Sequence, residues 1–278
     1  MSPIASVVIP AHNEERVLSR NLGLLFAGTA PGDLDVVVVA NGCTDGTARV
    51  AREAGARVVE TSTPGKANAL RLGDAECLAF PRVYLDADVE LSAASVRALA
   101  AALARPGILA SSPVPDWDLD GASRTARRVH RVHERLIGPR RALAGVGVYA
   151  LNEAGHARVF PIPDVVADDE LVNRSFAPDE RAVVPEARSV VRPARTIRAH
   201  LRRRVRVRLG NRQLEEMGLP AHGGRLGLRS IVGLVTARSV SPLDAACYLA
   251  VLIADRSMSR KATTRTAQIV WTTDSSSR

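Results

Sequence analysis

The sequence predicts an α/β fold: a mostly parallel, Rossmann-like sheet with helices on both faces, followed by a helical C-terminal appendage. Two observations carry the prediction. Short β-branched runs alternate with stretches of helical periodicity over the first hundred residues. Parallel neighbours also need a crossover connection, which these intervening stretches can supply.

The candidate strands are Ile4 to Pro10, Leu34 to Ala40, Ala56 to Thr61 and Arg82 to Asp86, each with the length and composition of a buried strand. Between the first two, Val17, Leu18, Leu22, Leu25 and Phe26 recur at helical spacing, with Asn13 as the expected cap and Glu14 and Glu15 in the first turn. A second helix is expected from a cap at Thr44 or Asp45 to Ala54, a third from Ala67 to Phe80, and a fourth from Ser92 to Ala104, where "RPG" ends it. "SSPVPDWDLDG" (Ser111 to Gly121) is proline-rich and reads as a loop. Gly145 to Leu151 reads as a strand, and Ala167 to Phe176 as a turn entering a helix.

Composition bounds the function. A chain of 278 residues, 46% hydrophobic, can bury one large core or two modest ones. Cys43, Cys77 and Cys247 form no even, closely spaced framework, so a reducing cytoplasm is the simplest home. The N-terminal residues lack a basic region ahead of a long apolar core, and a signal peptide is not expected. The longest apolar run, Ala245 to Ala254, falls short of the roughly 20 residues that span a bilayer.

The net charge of +9 is uneven: Arg181 to Arg212 carries eleven arginines against one glutamate. Nucleic acid is a poor match for that segment, because aromatic residues make up only 3% of the chain and stacking platforms are scarce. A peripheral contact with an anionic membrane surface is compatible with it.

In open parallel sheets, ligands bind beyond the carboxyl ends of the strands. That rule selects three loops: "PAHNEE", "ANGCTDGT" and "DADVE". In "VYLDADVEL", Asp86 and Asp88 stand two residues apart at a strand end, where both can reach one divalent cation. Magnesium and manganese favour oxygen ligands, and magnesium takes one or two carboxylates and fills its shell with water and phosphate. Taken alone, an acid-x-acid triplet is also common in exposed turns.

The company of this triplet is more specific. "VVIPAHNEE", "VVVVANGCTDGTA", "GKANALRLG", "VYLDADVEL" and "ADDELVNRSF" resemble, in order and spacing, the inverting nucleotide-sugar transferases of glycosyltransferase family 2, over roughly Ile4 to Arg212. The resemblance implies a GT-A fold with a donor-binding half (1–110) and an acceptor-binding half (111–215); the helical appendage expected over 216–278 lies outside it.

It further implies that Pro10, Asn13 and Glu14 line the nucleotide pocket, and that Lys66 lies near the nucleotide. A solvated lysine at a helix start is the other reading of Lys66. The family's commoner acid pair is replaced by Ala40 and Asn41, of which Asn41 can still hydrogen-bond a base or ribose. Asp86 would bind ribose or a water-bridged Mn2+ or Mg2+, and Asp88 the metal directly. Asp169, the second of two consecutive acids, would be the catalytic base, flanked by Asp168 and Glu170.

Arg203, Arg206 and Val207 occupy the places of the Gln-x-x-Arg-Trp stretch of processive relatives. Without the tryptophan, non-processive transfer is expected, with Arg206 available to the diphosphate. The expected partners are a nucleotide-diphosphate sugar and a small-molecule, glycan or lipid-linked acceptor. The alternative is an inactive partner subunit that binds a nucleotide sugar. His130 and His133 share a helix face without a nearby third ligand, and read as packing or surface residues.

Overall fold

The computed structural model describes residues 2–221 and 227–262, without the side chains of 258–262. The chain order is β1 (Ala5–Ala11), α1 (Glu15–Phe26), β2 (Leu34–Asn41), α2 (Thr47–Glu53), β3 (Arg57–Thr61), α3 (Lys66–Ala75), β4 (Arg82–Leu85), β5 (Glu90–Leu91), α4 (Ala93–Leu103) and β6 (Ala110–Trp117). Then follow α5 (Arg124–Ile137), β7 (Val148–Leu151), α6 (Glu153–Val159), α7 (Asp168–Ser175), β8 (Arg181–Val191), α8 (Ile197–Glu216), α9 (Leu228–Thr236) and α10 (Pro242–Ala262).

Among the described residues, eight strands form one sheet in the order β3-β2-β1-β4-β7-β6-β8-β5. β1 pairs in parallel with β2 and β4, and β2 with β3, as the βαβ spacing predicts. β7 enters antiparallel between β4 and β6.

The valine runs are buried on both faces. Val7, Ile9, Val36 and Val38 face a core shared with Leu18, Leu22 and Leu25 of α1 and Val96 and Leu99 of α4. Val8 faces the opposite core with Leu70 of α3 and Leu171 and Val172 of α7. A third cluster joins Val129, Val132 and Leu136 of α5 to Ile231 of α9 and Tyr248 and Val251 of α10, and forms the core of the helical appendage.

Four expectations are corrected. Asn13 does not cap α1: its backbone lies at φ +54, and its Oδ1 accepts from the Thr44 N–H at 2.8 Å. The third helix ends at Ala75, because the following backbone turns into the sheet, where the Leu78 N–H meets Asp35 Oδ2 at 2.9 Å. The last strand of the central pairing starts at Val148, since Gly145 and Gly147 adopt positive φ. "SSPVPDW" is a strand rather than a loop. β6 pairs with β7 only through Ser111, so Pro113 and Pro115 stand where that side of the ladder needs no N–H.

Candidate functional site

Three devices aim side chains at the carboxyl end of the parallel strands. The first is α3, which lies flat on the sheet: a Cβ at Gly73 would come within 2.5 Å of Val8 Cγ1, so only glycine permits this approach. Gly65, at φ +138, turns the chain into the helix and leaves Lys66 as its first residue.

The second device fixes β4 and the turn beyond it. Tyr84 OH and Arg82 donate to Asp74 Oδ1 on α3, each at 2.6 Å, and His156 Nε2 lies 3.0 Å from the same carboxylate. Past the strand, the Asp86 N–H donates to Gly147 O at 2.9 Å, and the Val89 N–H closes the turn on Asp86 O at 3.0 Å. Gly147 is obligatory here, since a Cβ would meet Val89 Cγ2 at 2.6 Å and Asp86 Oδ2 at 3.2 Å.

The third device carries the acidic triplet. Asp168, Asp169 and Glu170 form the first turn of α7, where the helix dipole favours negative charge. Arg174, almost wholly buried, anchors that helix by donating to Glu170 Oε1 at 2.8 Å, Leu219 O at 2.7 Å and Asn211 Oδ1 at 3.1 Å. α8 crosses the start of α7 at Gly210, where a Cβ would come within 2.8 Å of Ala167 Cβ.

These devices surround a cleft of about 750 Å³, lined among others by Pro10, Glu14, Lys66, Asp86, Asp88, Asp169 and Arg206. Seven of the nine residues singled out from the sequence therefore share one hollow. Asn41 does not line it; it is fully buried, and its Nδ2 donates to Gly65 O at 2.9 Å, which ties β2 to the turn before α3. Asn13 does not line it either and fixes the Thr44 loop instead.

Lys66 is the hub. Its Nζ lies 2.7 Å from Asp86 Oδ1 and 2.9 Å from Asp168 Oδ1. Burial opposes its charge, but Asp168, Asp86 and Asp169 together outweigh that and hold the ammonium above its ordinary pKa. Burial pushes the Asp168 carboxyl up to about 6 against the opposing pull of Lys66. Asp169, half-buried, accepts from the Gly145 N–H through Oδ2 at 2.7 Å.

Sequence reading passed over Asp168 as a partner of Lys66, because ion pairs between distant segments leave no local pattern. It also passed over Arg192, which lines the cleft while bound to Glu90 at 2.6 Å and Asp118 at 3.0 Å.

Among the described residues, no group of three or more His, Cys, Asp or Glu side chains forms a metal cage. The all-oxygen pair Asp86 and Asp88 still suits Mn2+ or Mg2+, which bind few carboxylates and complete their shells with water and phosphate. Because Lys66 holds Oδ1 of Asp86, the share left to a cation is its other carboxylate oxygen.

The comparisons with known proteins agree with this architecture. The model of "Glycosyl transferase family 2" matches residues 6–152. Over 90 residues the chain is 36% identical to 4,4'-diaponeurosporenoate glycosyltransferase of Staphylococcus aureus, a match covering 30% of this chain and 24% of that protein. The chain thus spans about a quarter of the length of the curated relatives it matches.

A mannosyltransferase from Pyrobaculum calidifontis, solved with GDP-Man and Mn2+, superposes with a TM-score of 0.59 at 20% identity, covering 95% of this chain and 80% of that one. Glucosyl-3-phosphoglycerate synthase from Mycobacterium tuberculosis, solved with Mn2+ and UDP-glucose, superposes with a TM-score of 0.56 at 24% identity, covering 80% and 82%. The sheet order, the cleft beyond its carboxyl edge and the family match over more than half of the chain lead to one conclusion: this chain belongs to glycosyltransferase family 2 and has the GT-A fold.

Proposed function

We propose that the protein transfers a sugar from a nucleotide-diphosphate donor to an acceptor hydroxyl, with inversion at the anomeric carbon and without processivity. The observation that carries this reading is the gathering of Asp86, Asp88, Asp169 and Arg206 in one cleft beyond the parallel strands.

The donor half is residues 1–110 and the acceptor half 111–215. Pro10 and Glu14 line the nucleotide side of the cleft, and Arg206, projecting from α8, meets the diphosphate. Asp88 and Asp86 would hold a Mn2+ or Mg2+ ion, which supplies positive charge to the departing diphosphate.

Asp169 takes the acceptor's proton as the hydroxyl oxygen bonds to the anomeric carbon from the face opposite the leaving group. The carbon–oxygen bond to the diphosphate breaks, and the nucleoside diphosphate leaves with the electron pair. The Gly145 N–H at Oδ2 and the Glu170 N–H at Oδ1, at 2.7 Å and 2.8 Å, fix the Asp169 carboxylate from both oxygens, each of which keeps a second lone pair for the acceptor's proton. Val207, exposed at the cleft wall, stands where processive relatives carry tryptophan, and offers no ring on which a growing chain could rest.

A second reading assigns the base to Asp168, supported by its carboxyl being raised to about 6. Its burial and its bond to Lys66 favour a supporting role instead. The acceptor is a small molecule, a glycan or a lipid-linked sugar, and the compartment is the cytoplasm. Among the described residues, no helix is long and apolar enough to cross a membrane.

The test uses donor hydrolysis, which needs no acceptor. Screening UDP- and GDP-sugars with Mn2+ should give turnover with one donor class, and Asp88→Ala and Asp169→Asn should each lower it by about 10²-fold or more with the fold intact. Full turnover in either variant removes that residue from the assignment. Donor binding without any hydrolysis by the unaltered protein would favour the inactive partner subunit.

A further inference from the structure

The appendage exposes an unusual surface. Along α10 the exposed positions are Leu243, Ala246, Ala250 and Ile253, at steps of three, four and three residues, which makes one continuous apolar stripe. On α9, Leu228 and Val232 lie one turn apart and are likewise exposed. The four large side chains of this set are between 52% and 67% exposed.

The exposed charges on these two helices and on α5, which packs against both, are of one sign. Among the described side chains, every exposed charged group of α5, α9, α10 and the turn between α9 and α10 is an arginine: Arg124, Arg127, Arg131, Arg135, Arg229, Arg238 and Arg256. The acids of these helices are turned inward or tied up. Asp244 is buried against Arg128 at 2.7 Å and Arg131 at 2.9 Å. Asp255 is buried against Arg204, at 2.6 Å, and Arg208. Glu134, half-buried, binds Trp117 Nε1 at 2.7 Å and Arg141.

We infer that the α5–α9–α10 face docks on an anionic lipid surface, with the α10 stripe and Leu228 and Val232 entering the headgroup boundary and the arginines meeting acidic headgroups. An apolar stripe among cations alone complements such a surface on both counts, hydrophobic and electrostatic. A self-complementary contact between two copies would bring these arginines together with no exposed acids on the same helices to pair them. The docking face is separate from the cleft: α8 turns Arg203, Arg206 and Val207 to the cleft, and Arg204 and Arg208 to α10. The inference therefore stands whether or not the transfer reading does.

The test is flotation of the full chain with vesicles of phosphatidylcholine alone, or with about a third phosphatidylglycerol, at low and high salt. The expected result is binding only to the anionic vesicles, weakened by salt. Leu243→Asp combined with Ile253→Asp should lower it about tenfold or more. Arg124→Glu with Arg229→Glu should remove most of the salt-sensitive part. Leu78→Asp, an exposed leucine outside the appendage, should change nothing.

Circular dichroism and UDP or GDP binding without vesicles, unchanged in all variants, separate loss of docking from loss of fold or of the donor site. Equal binding to neutral vesicles, binding to neither, or wild-type binding by the Leu243→Asp and Ile253→Asp protein overturns the inference. So does a lipid-free dimer in sedimentation velocity that this double substitution dissociates, because a second copy would then own the face.

Discussion

Lys66 Nζ stands 2.7 Å from Asp86 Oδ1 and so occupies, with its own positive charge, one side of the carboxylate assigned to the cation. The same ammonium holds Asp168 at 2.9 Å, and one lysine thus links the strand-end acids to the acidic helix start. Without a donor, the chain carries an internal counter-ion for this cluster.

Replacing Lys66 with Met should therefore have two opposed effects. Stability should fall, because removing one partner of a buried pair costs about 3–5 kcal/mol when the other stays charged, and less when Asp168 takes up a proton. Mn2+ titrated into the donor-free protein should bind several-fold tighter, since Asp86 loses its competitor. Calorimetry reads both, and unchanged Mn2+ affinity would show that the lysine does not compete.

The two adjacent acids of α7 can be told apart. Asp169→Asn should lower donor turnover by about 10²–10⁴-fold with little change in melting temperature. Asp168→Asn should chiefly alter stability and the position of Lys66. The reverse pattern would hand the base to Asp168.

Gly147→Ala should be far more damaging than Gly145→Ala. Both glycines have positive φ, but a Cβ at Gly145 meets nothing within 4 Å, whereas one at Gly147 meets Val89 and Asp86. A loss of about 1–3 kcal/mol is expected for Gly147→Ala beyond that of Gly145→Ala. Urea denaturation of both variants measures the difference.

Acid should loosen the appendage first. Burial, reinforced by Arg204, pushes His133 down to about 4, and burial, with His130 and Arg204 adding to it, pushes His200 down to about 3. His133 faces Tyr248 OH of α10 at 3.3 Å, and His200 packs on the His130 ring at 5.3 Å. Between the ordinary value of 6.5 and these lowered ones, the unfolded chain holds protons that the folded chain excludes. Stability is thus full above that window and falls as pH drops through it, by at most about 1.4 kcal/mol per pH unit for each group. Melting temperatures from pH 7 to pH 4 should show this slope, and His200→Leu should flatten it.

The donor half was legible in the sequence because buried parallel strands read as unbroken apolar runs, such as Val36 to Val39, and because crossover helices repeat at a fixed spacing. β6 was not, since Pro113 and Pro115 argue against a strand until the reach of its neighbour is known. The acids and Arg206 could be picked out by their motifs. Asn13 and Asn41 could not be placed, because which way a short amide turns depends on backbone partners, Thr44 and Gly65, that lie 31 and 24 residues away. Whether "SPLDAACYLAVLIADR" packs on the domain or lies in a bilayer interface was undecidable for a related reason: its buried and its open apolar positions look alike.

The division of arginines along α8 also limits how the protein can change over generations. Each residue turns a helix by about 100°, so one codon gained or lost between Arg204 and Arg206 would swing Arg208 away from the buried Asp255 and change which side chain of this helix meets the hollow. Substitution can tune either side of this helix, but its length is closed to gradual drift.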